Sequence, residues 1–267
     1  MKNKVITVAR VATGLICWFL IYKLYGAFVD PLLEGVLPEI ARMVLMAMVV
    51  PYTLGLGAFL LVTIGMTRSD YAVNASLKPG IGTIAKYFVI QTGLSFPVMV
   101  ALNAALTIAG VESRATSPEQ IMAHPVFFFV LLIIFNPIFE ELLFRKFVLE
   151  RIGVLGTKGA IICSAVFFAL PHVYSQGIPQ MFFTFTIGLV YAYLTVKTGK
   201  LWPAVILHAL SNIYCAYIPM GTALIHPALS VVFILVTLSV MIPLTIIFIK
   251  KEVRSNMMPS INLREEK

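Results

Sequence analysis

The chain has 267 residues, of which 60% are hydrophobic and only 12% are charged. Soluble globular domains carry about 25% charged residues, so this composition excludes an ordinary soluble enzyme. The net charge is +8, but the basic residues are scattered between apolar runs, whereas a nucleic-acid-binding protein needs a clustered basic face. These features predict an all-α polytopic membrane protein that folds as a single membrane domain over residues 1–267 and has no nucleic-acid partner.

Eight apolar runs are long enough, or nearly so, to cross a lipid bilayer as helices, which takes about 20 residues. They cover residues 11–28, 43–65, 87–110, 126–147, 160–174, 179–196, 201–218 and 223–249. The fifth and seventh runs are short for this purpose, and Asn136-Pro137 interrupts the fourth. Proline removes a backbone hydrogen bond and tends to kink a helix, so we expect a break there. The three cysteines all lie inside apolar runs and are predicted to be reduced packing residues.

The loops between the runs show a strong charge asymmetry. With eight spans both termini lie on one side of the membrane, and nearly every basic residue of the loops falls on that side, Arg145 and Arg151 included. The opposite side holds only Arg42 and Arg114. Basic loops stay in the cytoplasm, so the sequence predicts a multi-pass protein of the cell membrane with both termini cytoplasmic. The charged tail, residues 250–267, is expected to be loosely held.

Two adjacent glutamates, Glu140 and Glu141, lie inside the fourth apolar run. Ionisable groups near the bilayer centre are costly, so they are usually paired and usually functional. Arg145 follows Glu141 by four residues, which puts both side chains on one helical face and within salt-bridge reach. Glu140 points about 100° away from Glu141 and therefore faces a different neighbour. The sequence predicts an ion pair between Glu141 and Arg145, and a separate role for Glu140.

Two later spans carry the other strongly polar residues. His172 follows Pro171 in the fifth span, and His208 and Asn212, four residues apart, share a face of the seventh. None of these side chains can face lipid cheaply, so we expect them to converge with Glu140 on one intramembrane cavity. A buried carboxylate can act as general base on water, and a histidine can relay the proton. Histidine and asparagine can also donate to an oxyanion, so the set suits amide hydrolysis without a covalent intermediate.

Three motifs occur in order on successive helices: E-E-x-x-x-R at 140–145, F-x-x-x-H at 168–172 and H-x-x-x-N at 208–212. They resemble the motifs of the CAAX-protease and bacteriocin-processing family of intramembrane endopeptidases, and they match without substitution. The resemblance implies a catalytic core of about 126–218 with a cytosol-facing cavity. It also implies a peptide or protein substrate, and it leaves membrane-anchored and prenylated substrates both open. The first three spans carry no motif of this kind.

The resemblance also implies a role for each motif residue. Glu140 and His172 activate water, His208 and Asn212 stabilise the oxyanion, and the neighbouring ion pair supports them. A glutamate-based mechanism without a cofactor is the preferred interpretation. In the alternative, metal-dependent mechanism, Glu140, His172 and His208 hold a zinc ion.

Two other classes of function stay open at this level. A proton-coupled transporter also uses intramembrane Glu, His and Arg, although it usually has two repeated halves, and this sequence shows no repeat. A non-catalytic membrane partner, such as an immunity protein, could keep the same fold.

One geometric point conflicts with a shared cavity. At about 1.5 Å per residue, Glu140 lies about 9 Å along its helix from Lys146, whereas His172 lies about 21 Å from Lys158. Straight, upright helices would hold the two side chains at different depths. Helix tilt, the break at Asn136-Pro137 or a fifth helix that extends into the cytosol could reconcile them.

Overall fold

The structure is a computed structural model that describes residues 2–73, 75–111 and 117–257. Over this part of the chain it is helical, and eight helices are long and apolar enough to cross a bilayer. They are α1 Asn3–Leu33, α2 Glu39–Val62, α3 Ile81–Ile108, α4 Pro125–Arg151, α5 Thr157–Gln176, α6 Ile178–Thr198, α7 Trp202–Ile225 and α8 Pro227–Arg254. The predicted all-α bundle with eight spans is confirmed, and the chain is a multi-pass membrane protein. The three cysteines are free, as predicted.

The boundary between the last two helices differs from the prediction. Residues 223–225, which were expected to begin the eighth span, instead end α7. His226 has extended backbone, as expected for a residue that precedes a proline, and Pro227 begins α8. Helical structure continues at the other end of α8 to Met257, so the first part of the predicted loose tail is helical. Residues 258–267 lie outside the described residues.

The expectation that Arg151 lies in a loop is wrong, whereas Arg145 lies in the fourth helix as expected. Both lie within α4 and are buried, with 1% and 3% of their surfaces exposed. The apolar run that predicted this helix stops at residue 147, but the helix continues to Arg151, whose guanidinium donates to the carbonyl of Phe147 at 2.9 Å. The loop between α4 and α5 is therefore short. Arg114, one of the two basic residues predicted on the opposite side, lies outside the described residues.

Helix α6 is the centre of the bundle. The apolar window of α6 is 61% buried, the highest value among the eight spans. It packs against α5, α3 and α7, while α3 packs on α8 and α1 on α2. Gly188 permits the close approach of α5, because a Cβ atom at this position would lie 3.0 Å from the ring of Phe168. Phe168, the first residue of the F-x-x-x-H motif, therefore lies at the contact between α5 and α6.

Polar contacts tie the first two helices and α4 together at one end of the bundle. The Arg10 guanidinium of α1 donates to the carbonyls of Val62 and Ile64, at 2.7 and 2.6 Å, where α2 ends. The N–H of Ser69, in the loop after α2, donates to the carbonyl of Glu150 at the end of α4, at 2.9 Å. The start of α1 and the ends of α2 and α4 thus lie together.

The same end also holds the end of α6, the start of α3 and the end of α8. The N–H of Leu77 donates to the carbonyl of Lys197 at 2.9 Å, and Lys86 forms an ion pair with Glu252. We call this the basic end, because the loops that carry Lys78 and Lys200 and the first turn of α5, with Lys158, also lie there. At the opposite end, Arg42 of α2 makes two hydrogen bonds to Asp30 of α1, at 2.7 and 3.1 Å, which neutralise its charge.

Candidate active site

The proline in α4 widens the helix without ending it. Residues Val130–Phe135 have a π-helical pattern, and α-helical backbone resumes at Asn136. A carbonyl in a π-turn bonds the N–H five residues ahead, and for Leu132 that residue is Pro137, which has no N–H. The side-chain amide of Asn212, on α7, donates to the Leu132 carbonyl at 2.7 Å instead. The predicted break is therefore a bulge, and Asn212 connects α7 to α4 there.

Glu141 is the centre of a buried ionic network. Its Oε2 lies 3.0 Å from Nε of Arg145, so the ion pair predicted from the spacing is present. Its Oε1 lies 3.0 Å from Nδ1 of His208 on α7. Glu141 and Arg145 are 0% and 1% exposed, and His208 is 5% exposed. The carboxylate thus neutralises an arginine on its own helix and fixes the orientation of a histidine on another.

Glu140 is the second carboxylate in contact with His208. Its Oε2 lies 4.0 Å from Nε2 of His208, which is the ring nitrogen not bonded to Glu141. The Glu140 side chain is 16% exposed to solvent, whereas that of Glu141 is fully buried. The two adjacent glutamates therefore have different surroundings, as their rotation about the helix predicts. His208 lies between them, with one carboxylate facing each ring nitrogen.

His172 reaches the same region from α5. Its Nδ1 lies 3.0 Å from the carbonyl oxygen of Phe168, one turn earlier. A hydrogen on Nδ1 donates to that carbonyl and leaves the Nε2 lone pair as an acceptor. Glu140 and His172 both line one cavity, as predicted, whereas His208 and Asn212, which were expected there too, are not among its lining residues.

The true length of α4 reduces the expected difference in depth by about half. The helix continues past Lys146 to Arg151, so Glu140 lies about 16 Å from its end, at about 1.5 Å per residue. His172 lies about 22 Å from Thr157, where α5 begins, by the same rise.

Two aromatic side chains connect the motifs, and the sequence did not reveal their role. The ring of Phe168 lies 4.1 Å from the guanidinium carbon of Arg145 and makes edge-on contacts with His172 and His208. The ring of Tyr191, on α6, lies 5.4 Å from the same guanidinium and stacks on His208 at 5.5 Å. An arginine between aromatic faces gains cation–π attraction, which helps to hold this buried charge. Phe168 is therefore part of the polar network as well as the core.

A hydrogen-bonded chain behind His208 brings α3 into the site. The Tyr191 hydroxyl lies 2.8 Å from Oγ of Ser211, and the amide of Gln91 donates to the same Oγ at 2.6 Å. All three side chains are buried. A glutamine in an apolar span is the one signal in the sequence that could have identified α3 as a contributor, because a buried amide needs partners.

The cavity has a volume of about 460 Å³ and lies between α1, α2, α4 and α5. This volume is within the range typical of ligand sites. Its polar groups include Glu140 and His172, and half of the other lining residues are aromatic. Tyr52 of α2 lines it and packs against Phe139, the neighbour of Glu140, with ring centroids 5.2 Å apart. Helices α1 and α2, which carry no recognised motif, thus form one wall of the cavity.

Comparison with known families gives one match. Residues 122–214 match the family described as type II CAAX prenyl endopeptidase Rce1-like. The matched segment contains all three motifs and runs from the residues before α4 into α7. Comparisons with curated proteins and with solved structures found no match.

Proposed function

We propose that this chain, whose segment 122–214 belongs to the CAAX-protease-like family of intramembrane endopeptidases, hydrolyses a peptide bond with a water molecule activated by Glu140 and His172. One observation carries the proposal. A carboxylate on α4 and an imidazole on α5 line a single cavity, and the second imidazole, His208, approaches the same carboxylate to 4.0 Å.

In the proposed reaction, water binds between the Glu140 carboxylate and Nε2 of His172. Glu140 takes a proton as the water oxygen attacks the carbonyl carbon of the scissile bond. The same proton then passes to the leaving amine nitrogen as the bond between carbon and nitrogen breaks, so the protein ends the cycle unchanged. General bases of this kind contribute about 10²–10⁴ to the rate. The hydrogen bond from Nδ1 to Phe168 fixes the ring of His172 with its lone pair free.

The negative charge on the tetrahedral intermediate needs a donor, and we assign this role mainly to His208. Glu141 accepts from Nδ1, so Nε2 is the nitrogen available on the side of Glu140. Asn212 uses one amide hydrogen on the Leu132 carbonyl and keeps a second, to which we assign a supporting share of the oxyanion. Preorganised donors of this kind are worth about 10²–10³ in kcat each.

We prefer the glutamate mechanism to the zinc alternative. Over the described residues, no group of three or more His, Cys, Asp or Glu side chains is positioned to hold a metal ion. His208 directs Nδ1 to Glu141, and His172 directs Nδ1 to a backbone carbonyl. Nε2 of His208 lies 4.0 Å from Glu140, a separation that two ligands of one zinc ion can also have, so direct metal analysis decides between the two mechanisms.

We therefore expect peptide cleavage to be independent of metal. Protein purified with EDTA should cleave at the same rate as protein supplied with zinc, and elemental analysis should find less than one zinc per chain. Stoichiometric zinc, with activity lost on its removal and restored on its return, would contradict the glutamate mechanism.

The function is tested by a cleavage assay on purified protein in liposomes. The probe is a mixed-sequence peptide library, presented free, lipid-anchored and with a farnesylated cysteine, and products are read by mass spectrometry. His172→Ala should lower the cleavage rate about 10²–10⁴-fold, because the water loses an acceptor. His124→Ala is the matched control, since His124 lies beside Glu39 before α4 and does not line the cavity.

The outcome separates the candidate functions. Cleavage by wild type that falls with His172→Ala and not with His124→Ala supports an endopeptidase, and the form of peptide that is cleaved identifies the substrate class. Absence of cleavage in all three peptide forms by well-folded wild type would favour the non-catalytic membrane partner. Wild-type cleavage that is unchanged in His172→Ala would remove this residue from the mechanism.

We also propose that the basic end faces the cytoplasm in the cell membrane, so that both termini are cytoplasmic. Burial of Arg145 and Arg151 weakens the predicted charge asymmetry but keeps its direction. Lys78 and Lys200 remain in loops at this end, and Lys158 lies in the first turn of α5. Near the opposite end, Arg42 is paired with Asp30, and Lys23 lies over the ring of Tyr174.

A further inference from the structure

Helix α5, which lines the cavity, and helix α6, which packs against it, are shorter than α4 and α8. α5 and α6 have 20 and 21 residues, whereas α4 and α8 have 27 and 28. At about 1.5 Å per residue, the short pair spans about 30 Å and the long pair about 40 Å. The α5–α6 hairpin, which turns at Gly177, therefore leaves one face of the bundle recessed.

The recess lies at the end opposite the basic loops. At the basic end, the carbonyl of Lys197 accepts from Leu77, and Gly153, just before α5, packs directly against Ser69. Both helices of the short pair are thus tied to the basic end, and the missing length falls at the hairpin turn.

The cavity extends into this recess. Its lining includes Ser175 and Gln176, the last residues of α5, together with Tyr22 from the second half of α1. It also includes Ala47, eight residues from the start of α2 at the opposite end. The lining residues come from the helices and not from any of the loops at the basic end. The cavity therefore opens toward the hairpin turn.

Apolar side chains close the path from the cavity to the basic end. Leu143, Val148, Leu149 and Ile152 follow Glu140 along α4 and its extension, and each is 0% exposed. A separate pocket at the basic end reaches Leu142 and Arg145 but shares no lining residue with the cavity. Water and substrate thus have a wide route to Glu140 from one face of the bundle and a packed core on the other.

We infer that the catalytic cavity is entered from the extracytoplasmic side of the membrane, so its substrates are exported peptides or the outward-facing segments of membrane proteins. The inference rests on the proposed function, which makes the cavity catalytic. It also rests on the positions of the basic loops, which give the side of the membrane to which the cavity opens. It differs from the cytosol-facing cavity that the family resemblance implies, because the basic end and the mouth of the cavity are at opposite ends of this bundle.

Side chains at the mouth suit a water–membrane interface. Lys23 of α1 lies 20 residues after Asn3, and its Nζ is 3.7 Å from the ring centroid of Tyr174 and 5.5 Å from that of Tyr22. Tyrosines and lysines with their polar tips in the headgroup region are typical of such interfaces. The aromatic wall, with Trp18 and Tyr52, suits a peptide with large apolar side chains near the scissile bond.

Cysteine labelling tests the direction without requiring activity. In a variant that lacks the three native cysteines, Ser175→Cys reports on the mouth, and Lys158→Cys reports on the basic end. Both native side chains are exposed. A membrane-impermeant maleimide should label Ser175→Cys in intact cells, and should label Lys158→Cys only after permeabilisation. Labelling after denaturation confirms that each thiol is present and reactive.

The opposite pattern, or a lack of labelling at Ser175→Cys in intact cells, would overturn the inference. A second arm connects the direction to the chemistry. Bulky maleimide added from outside should block cleavage of an exported peptide by Ser175→Cys and should not affect the version with native Ser175. If neither version cleaves but labelling follows the expected pattern, the proposed function fails while the outward-facing cavity stands.

Discussion

Glu140→Gln should lower kcat for peptide cleavage by about 10²–10⁴-fold, the usual contribution of a general base. The amide has nearly the same size and can still accept a hydrogen bond from water, but it cannot take the proton. KM should change little, because the lost interaction acts on the proton transferred in the transition state and not on the bound peptide. The measurement is steady-state cleavage by purified protein in liposomes, with thermal unfolding recorded for each variant.

Glu150→Gln is the matched control for this substitution. Glu150 lies near the end of the same helix and pairs with Lys146 at 2.6 Å, away from the cavity. Its loss should leave kcat unchanged within about twofold, since surface ion pairs contribute only about 0–1 kcal/mol. A Glu140→Gln protein that cleaves at nearly the wild-type rate would end the glutamate-base mechanism. Equal losses in both variants would point to a general effect on folding.

The number of spans could be read from the sequence because it depends on one local property. A helix that crosses a bilayer needs about 20 apolar residues, and lipid accepts no exposed backbone, so each long apolar run had one available structure. The ends of the helices could not be read in the same way. Arg145 and Arg151 look like loop residues when polarity alone is considered, but protein contacts rather than water surround both in the folded chain.

Within the site, the sequence predicted what a single helix determines. The ion pair between Glu141 and Arg145 follows from four-residue spacing, and the separation of Glu140 from that pair follows from its rotation. The meeting of side chains from different helices could be predicted, but the individual atoms in contact could not. The side chain of His208 shares a helical face with Asn212, but packing directs the first to Glu141 and the second to the Leu132 carbonyl.

The end of the bundle at which the cavity opens could not be predicted from the sequence either. The basic loops and the family resemblance each gave an orientation, and the two were compatible as long as the depth of the cavity was unknown. The short α5–α6 pair made them incompatible, because it opens the cavity away from the basic end. The lengths of the fifth and sixth apolar runs contained this information, but only a packed bundle shows at which end a short helix is recessed.

Glu141→Gln should destabilise the protein by about 3–5 kcal/mol, the usual result of removing one partner from a buried ion pair. Arg145 is 1% exposed, and the substitution replaces its carboxylate partner with a neutral amide beside the carbonyl of Gly188 and two aromatic faces. Thermal unfolding in detergent measures the loss. The control is Asp30→Asn, which breaks the partly exposed pair with Arg42 and should cost about 0–1 kcal/mol.

A double variant separates the stabilising role of Glu141 from its role in positioning His208. Glu141→Leu with Arg145→Met removes both charges and should recover most of the lost stability, since buried pairs are often replaced by apolar residues without penalty. It also removes the acceptor for Nδ1 of His208, so kcat should stay low while KM changes little. Recovery of stability and activity together would show that Glu141 serves only to neutralise Arg145. If Glu141→Gln is as stable as the wild type, Arg145 finds its compensation elsewhere, and the ionic network does not hold α4 and α7 together.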